Sequence, residues 1–167
     1  MNGLVIISAT LAFFASLVLH ELGHYIAARM CAVPVRRAGL GWGPKLFGVR
    51  VGEVDCQAHL LPFGAYVQMD MKVLQSRSLA QQLFVLGAGI GVNLVLCGLT
   101  WGSFFGAINL ALAIGNLIPV YQLDGWKSGM VICRRIFGRP SPLVEWSFTL
   151  FGGAIAAAVM VQAFLNV

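Results

Sequence analysis

Long runs of apolar residues dominate the chain and predict its architecture. Four runs, at about 4–29, 80–101, 104–126 and 143–165, are each long enough for a membrane-spanning helix of about 20 residues. Between the first two runs, residues at about 34–70 form short alternating segments separated by Gly and Pro, a pattern typical of strands joined by turns. The pattern therefore predicts an α-helical polytopic membrane protein with a small membrane-associated β-sheet between its first and second spans.

Composition supports a single membrane domain over residues 1–167. The chain is 59% hydrophobic and 10% charged, and its mean hydropathy is +0.84, which is outside the range of soluble domains. No segment is long enough for an added globular domain. The first apolar run has no basic segment before it and exceeds the length of a signal-peptide core, so we expect it to be a retained span.

The predicted β segment at 34–70 has two interpretations. An open sheet edge is not tolerated against lipid, so the segment is expected at the membrane interface or in a protein-lined cavity. Its edge would then accept an extended substrate by strand addition. The alternative is a cytoplasmic cap that connects two helices.

The basic residues all fall on one predicted side of the membrane. They follow the first span or lie between the third and fourth: Arg29, Arg36, Arg37, Lys45, Arg50, Lys72, Arg77, Lys127, Arg134, Arg135 and Arg139. By the positive-inside rule, both termini are then outside and the two basic segments are cytoplasmic. This topology accounts for the net charge of +5 without a nucleic-acid partner. We expect a multi-pass protein of the bacterial inner membrane.

One group of ionisable side chains interrupts the first apolar run. His20, Glu21 and His24 are the only acidic residues or histidines between Gly3 and Ala28, and no Lys or Arg lies there. Positions i and i+4 share a helix face, so the two histidines can hold one metal ion with the carboxylate beside them. This H-E-x-x-H pattern is typical of zinc hydrolases, in which the carboxylate is the general base. The alternative is a pair of packing histidines with a hydrogen-bonded glutamate.

A second carboxylate, Asp124, lies in the interior of an apolar run. His24 is five residues before Arg29 and Asp124 is three before Lys127, and both basic residues are expected at the cytoplasmic boundary. At about 1.5 Å per helical residue, His24 and Asp124 then lie within about one turn in depth. Asp124 is therefore the candidate third ligand of one Zn²⁺ ion, which leaves a fourth position open for water. Pro119 should break the helix before it, with a turn or a helix restart at Asp124.

The polar residue of the second apolar run is Asn93, within the segment GAGIGVN. Gly87, Gly89 and Gly91 of this segment permit a close approach between helices. Asn93 is either an interhelical hydrogen-bonding residue or a donor to an oxyanion that develops beside the metal.

Cys56 and His59 have the spacing of a ligand pair within a strand-like segment. A lone pair of this kind is more often structural than metal-binding. No second metal site is predicted there.

The chain resembles the site-2 protease family of intramembrane zinc metalloproteases in three motifs and their order. HELGH at 20–24 is similar to the first-helix H-E-x-x-H of that family, and NLIPVYQLDG at 116–125 is similar to its N-x-x-P-x-x-x-L-D-G. GAGIGVN at 87–93 resembles a G-P-x-x-N segment, with Ile90 where the family often has proline. LLPFGAYVQM at 60–69 is similar to the membrane-associated β-loop of the family.

The resemblance implies roles for individual residues. It implies that His20, His24 and Asp124 bind zinc and that Glu21 is the base. It also implies that Asn93 helps to stabilise the tetrahedral intermediate. The residues implied to bind substrate are Asn116, Pro119, Gly64 and Tyr66. The PDZ or CBS domains of many members are not expected here, which is the pattern of a minimal catalytic core.

These observations favour hydrolysis of peptide bonds within the membrane. The expected substrates are single-pass transmembrane proteins or signal-peptide remnants, locally unwound and extended against residues 60–68. The expected partners are the lipid bilayer and a regulatory membrane protein.

Two other classes of protein remain as alternatives. One is a non-catalytic zinc-binding scaffold or small metal transporter, although the outer halves of the spans offer almost no polar path beyond Ser and Thr. The other is a metalloprotease with Glu as its third ligand. That alternative lacks a spare intramembrane Glu, because Glu53 is in the cytoplasmic segment and Glu145 begins the last run.

Overall fold

The computed structural model describes residues 3–138 and 142–165, so Arg139 lies outside the described residues. The elements follow in the order α1 (Gly3–Met30), β1 (Val35–Val51), β2 (Val54–Met69), α2 (Met71–Ser76), α3 (Leu79–Leu99), α4 (Phe104–Leu117), α5 (Asp124–Phe137) and α6 (Pro142–Leu165). The fold is mostly helical, with a small antiparallel sheet after the first helix as the sequence predicts.

Two of the described helices, α1 and α3, are long and apolar enough to cross a membrane. Within their apolar windows, only 11% of the residues of α1 and 33% of those of α3 are buried. The core helix of a soluble protein would bury much more of such a surface. The apolar α4 is shorter, at 14 residues. Two helices of the described residues, α1 and α3, therefore meet the length and apolarity of a span, and the four-span arrangement stays a prediction.

The third predicted span, at 104–126, is not one continuous helix. α4 ends at Leu117, a turn follows, and α5 begins at Asp124. Pro119 in this turn has no backbone N–H, and Gln122 adopts a φ of 76°, in the left-handed region that ends helices. The residues after 126, predicted as a loop, continue α5 to Phe137 because an apolar stripe packs inward while Arg134 and Arg135 suit the negative helix end.

The sheet is irregular and consists of two long antiparallel strands. β2 covers 54–69, within the segment at about 34–70 that the sequence predicts to form strands. The register shifts repeatedly, and Gly39 of β1 is paired with both Gln57 and Tyr66, which belong to two segments of β2 on its two edges. A Cβ at Gly39 would lie 2.6 Å from the Tyr66 ring, so a larger residue there would displace this ring. Over the described residues, segment 65–69 pairs with β1 along one edge and no strand pairs with its other edge.

A hydrophobic core joins the C-terminal part of α1 to the sheet, α2, α3 and α5. Its buried members are Ala27, Ala28, Cys31, Val33, Val35, Val54, Leu74, Val85, Leu86 and Val131. α3 begins with a capping box: the Ser78 side chain accepts from the backbone N–H of Gln81, and the Gln81 side chain accepts from the backbone N–H of Ser78. The core therefore holds α1, α3 and α5 together at the level of the HELGH segment.

Candidate metal centre

The histidines of α1 lie on the face that packs against α3. Both His20 and His24 are 5% exposed. At the crossing of the two helices, a Cβ at Gly23 would lie 2.7 Å from Cγ2 of Val92 and 3.0 Å from the carbonyl oxygen of Ala88. The glycine of HELGH is therefore required for the close approach of α1 and α3.

Gly89 brings the backbone of α3 directly onto the two imidazoles. A Cβ at this position would collide with Nε2 of His24 and would lie 2.6 Å from Nε2 of His20. Gly87 and Gly91 have open space where a Cβ would be. Of the three glycines expected to permit close helix approach, Gly89 is therefore the one that does so here, because only its α-carbon faces α1.

Three donor atoms converge at this point. Nε2 of His20 and Nε2 of His24 are 3.2 Å apart. Oδ2 of Asp124 lies 3.0 Å from the first nitrogen and 2.9 Å from the second. Tetrahedral zinc with ligand distances of about 2.0–2.2 Å separates its ligands by about 3.3–3.6 Å, a few tenths of an ångström more than these separations. Two imidazoles and a carboxylate at these separations fit one Zn²⁺ ion, and a fourth position remains for water.

The other side of each ligand is held by a hydrogen bond. Nδ1 of His24 donates to the carbonyl oxygen of Val85 at 2.8 Å, and Nδ1 of His20 is hydrogen-bonded to Oδ1 of Asn93. The second oxygen of Asp124 accepts from Nζ of Lys127 at 3.2 Å. Partners of this kind orient metal ligands and direct the lone pair of each Nε2 toward the centre.

Asp124 reaches the histidines because α5 starts immediately beside the end of α4. A Cβ at Gly125 would lie 2.6 Å from the carbonyl carbon of Leu117 and 2.8 Å from the carbonyl oxygen of Asn116. Only glycine permits this approach, which explains the Asp-Gly pair of the sequence in physical terms. The helix break at Pro119 thus turns the chain so that Asp124 lies in the first turn of α5.

Glu21 faces a groove between α1 and the sheet. The groove has a volume of about 510 Å³, and on the helix side it is lined by Val18, Glu21, Leu22 and Tyr25. The residues of the sheet that line it are mainly apolar, and Gln57 and Tyr66 contribute polar atoms joined by a 3.2 Å hydrogen bond. Glu21 therefore lines the apolar groove and follows the candidate ligand His20 directly in the sequence.

The four residues expected to bind substrate lie in different places. Tyr66 lines the groove. Gly64 has a φ of 94° and lies against the indole of Trp42. Nδ2 of Asn116 donates to the carbonyl oxygen of Leu112 within its own helix at 3.0 Å. The carbonyl group of Pro119 lies against Gly152 of α6. The structure brings Tyr66 to the groove, and the substrate-binding roles stay predictions.

The sequence analysis missed Asn109 of α4, which is fully buried. Its Oδ1 accepts from Nδ2 of Asn93 at 2.7 Å, so it lies one residue beyond the partner of His20. A signal was present, because a polar side chain inside an apolar run is costly and is usually paired. The same contact uses one of the two amide hydrogens of Asn93, and a role at an oxyanion would need the other.

Cys56 and His59 do not form a three-ligand group. Cys56 lines the groove, and the ring of His59 packs on Tyr66 with centroids 5.9 Å apart. Within residues 3–138 and 142–165, the group of three donors that can hold a metal ion is His20, His24 and Asp124.

Comparisons with known proteins agree with this site. The family model described as peptidase family M50 matches residues 8–105. A relative from Clostridium perfringens, named a zinc metalloprotease, is 39% identical over 124 residues, which cover 66% of this chain and 37% of the relative. One of the same name from Neisseria meningitidis is 33% identical and covers 81% of this chain and 34% of its own length. Zinc metalloprotease Rip1 of Mycobacterium bovis is 30% identical over a match that covers 61% of this chain and 30% of its own length.

A buried His-His-Asp donor set between apolar helices defines a metal-binding membrane protein. The matched residues exceed half of the chain and include the HELGH segment and Asn93, and the chain belongs to peptidase family M50. This confirms the resemblance to site-2 proteases and supports Zn²⁺ as the metal. The chain spans about a third of the length of the curated relatives it matches.

Proposed function

We propose that the protein is an intramembrane zinc metalloprotease that hydrolyses peptide bonds in or near transmembrane segments of other membrane proteins. The observation that carries the proposal is the position of Glu21. It lines the apolar groove, and it is adjacent in sequence to His20, whose Nε2 is one of the three convergent donor atoms. A carboxylate that lines a groove of this size and is the sequence neighbour of a metal ligand is suited to general-base hydrolysis.

The residues of the chain would divide the chemistry among them. His20, His24 and Asp124 would hold Zn²⁺, which when bound polarises a carbonyl group and lowers the pKa of a water to about 7. Glu21 would take a proton from the attacking water and later pass it to the leaving amine. Asn93 would hold the His20 imidazole, and its remaining amide hydrogen is the group available for the oxyanion.

Substrate would enter the groove in an extended conformation. A helical substrate hides its carbonyl groups in hydrogen bonds between residues i and i−4, so it must unwind before hydrolysis. The unpaired edge of segment 65–69 offers backbone groups for strand addition, and Ala65, Tyr66 and Val67 of this segment line the groove. Single-pass membrane proteins and signal-peptide remnants fit this entry route.

The membrane arrangement is part of the same proposal. Four spans, with both termini outside and the basic segments in the cytoplasm of a bacterial cell, agree with the distribution of Lys and Arg. The exposed apolar side chains of the sheet, such as Trp42, Leu46 and Phe47, suit contact with the bilayer. A regulatory membrane protein that controls access to the groove is the expected partner.

The test compares the wild type with Glu21→Gln in liposomes that contain a single-pass model substrate. We expect both proteins to bind about one zinc ion, because the three donor atoms are unchanged. Only the wild type should cleave, with a loss of at least about 100-fold in the variant. Cleavage by Glu21→Gln would remove Glu21 from the role of base. Zinc binding without cleavage by either protein would favour the scaffold or transporter.

Asp124→Asn is the matched control for the metal. Its amide is nearly the same size as the carboxylate but is a much weaker zinc ligand, so we expect both zinc content and cleavage to fall. Unchanged zinc content in this variant would show that Asp124 is not a ligand.

A further inference from the structure

A chain of buried hydrogen bonds leads from the metal centre through α3 to α4 and back to α1. Nδ1 of His20 contacts Oδ1 of Asn93, and Nδ2 of Asn93 donates to Oδ1 of Asn109 at 2.7 Å. Nδ2 of Asn109 donates to Oγ of Ser16 at 2.9 Å and to the carbonyl oxygen of Phe105 at 2.9 Å. Asn93, Asn109 and Ser16 are each 0% exposed, so water does not compete for these groups.

At the Asn109 end of this chain of hydrogen bonds, the structure determines which group donates and which accepts. A backbone carbonyl oxygen can only accept a hydrogen bond, so the Asn109 group that faces Phe105 must be its NH₂. The amide oxygen of Asn109 then faces Asn93. Asn93 must therefore present its own NH₂ to Asn109 and its oxygen to His20.

The orientation of the Asn93 amide determines which nitrogen of the His20 imidazole carries the proton. An amide oxygen accepts, so the nitrogen of His20 that faces Asn93 must carry the proton. That nitrogen is Nδ1, and a neutral imidazole protonated at Nδ1 has its lone pair on Nε2. Nε2 of His20 is the atom that faces Nε2 of His24 and Oδ2 of Asp124.

We propose that Asn109 is a positioning residue that sets the Nδ1-protonated tautomer of His20 through Asn93 and thereby keeps Nε2 of His20 free to bind metal. The proposal rests on the metal site of the proposed function but is independent of proteolysis. Without a side chain at position 109 that accepts a hydrogen bond from Asn93, the Asn93 amide can rotate by 180° and offer its NH₂ to His20. The imidazole would then carry its proton on Nε2 and could not bind metal through that atom.

Ser16 contributes less than Phe105 to the orientation of the Asn109 amide. Its Oγ donates to the carbonyl oxygen of Ala12 at 2.9 Å and accepts from Asn109. If Ser16 is removed, the Phe105 carbonyl still orients Asn109. Ser16→Ala is therefore a control that disturbs the same buried hydrogen bonds without changing the orientation of the Asn109 amide.

The experiment compares two variants of nearly equal shape, Asn109→Thr and Asn109→Val, in the full chain in detergent. A Thr hydroxyl can donate to the carbonyl four residues earlier, as Thr100 does to Leu96 at 2.6 Å, and still accept from Asn93. Val can do neither. Zinc affinity is measured by competition with a chromophoric chelator, and thermal unfolding of the metal-free proteins is measured alongside.

We expect Asn109→Val to bind zinc about tenfold more weakly than the wild type, in the range found for partners of metal ligands. Asn109→Thr and Ser16→Ala should stay within about twofold of the wild type. Equal zinc affinity of folded Asn109→Val and the wild type would overturn the proposal. A loss in Asn109→Thr or Ser16→Ala as large as that in Asn109→Val would also overturn it, because it would show a general packing effect.

A second measurement does not require Asn109→Val to fold. ¹⁵N NMR of the metal-free wild type, labelled at histidine, should show a slowly exchanging N–H at Nδ1 of His20. Assignment of the His20 proton to Nε2 would overturn the proposal. Failure of the wild type to bind zinc at all would count against the proposed function instead, so the two failures are distinguishable.

Discussion

Around His20 the side chains are buried and each ring nitrogen has a partner, whereas the groove on the other side of Glu21 is mostly apolar. In the first region, Asn93 and Asn109 join three helices through directional hydrogen bonds. In the second, the strands shift register repeatedly, and few polar atoms line the wall. Leaving a buried polar group unpaired costs about 1–3 kcal/mol, while apolar contacts have no direction. The metal centre is therefore built for one geometry, whereas the apolar wall of the groove does not impose a single one.

The largest effect is expected at the metal centre, where two glycines of α3 can be compared. Gly89→Ala places a methyl group within 2.6 Å of Nε2 of His20, so we expect zinc affinity to fall by about 100-fold. Gly87→Ala is the matched control, because open space surrounds that position. It should leave zinc affinity unchanged, as measured by chelator competition. Equal zinc affinities for the two variants would mean that the close approach of α3 does not shape the centre.

A smaller effect is expected in the groove. Tyr66→Phe keeps the ring that lies over Gly39 but removes the 3.2 Å hydrogen bond to Gln57. We expect KM for a model substrate to rise by about fivefold at most, which corresponds to one partly buried hydrogen bond. The kcat and the zinc content should not change. A loss of zinc in this variant would contradict the separation between the two regions.

The smallest effect concerns the surface where the sheet meets α2. The hydrogen bond from Arg36 at 2.7 Å, together with the backbone N–H groups of Val73 and Lys72, holds the pKa of Asp70 below its usual range. A carboxyl group with a lowered pKa in the folded state stabilises the fold above its unfolded pKa of about 3.9. This contribution is lost as the pH falls through the folded pKa.

Asp70→Asn isolates this contribution, because Asn is an equally good residue at a helix N-terminus. Thermal unfolding in detergent should show the wild type slightly more stable than the variant at pH 7, with the difference disappearing in acid. High salt should reduce the difference, since Arg36 is exposed. Parallel pH profiles for the two proteins would show that the ion pair does not contribute.

Much of the site could be predicted from local patterns. The i, i+4 spacing on a helix places His20 and His24 on one face whatever surrounds them. The break at Pro119 follows from the missing backbone donor, and the strand at 54–69 follows from alternation between turn residues. Continuation of α5 to Phe137 was not predicted, because the basic residues of this segment were interpreted as a loop rather than as the polar face of a helix.

Periodicity and composition were thus sufficient for the helices, the strand segments and the residue types able to bind zinc, since each depends on neighbours within a few positions. Only the tertiary structure decided which glycine contacts the imidazoles, that Asn93 faces His20, and that Asn109 and Ser16 continue the hydrogen bonds. Ser16 and Asn109 are 93 positions apart in the chain. Their contact depends on how α1, α3 and α4 pack together, and the direction of a hydrogen bond is defined only when both partners are in place.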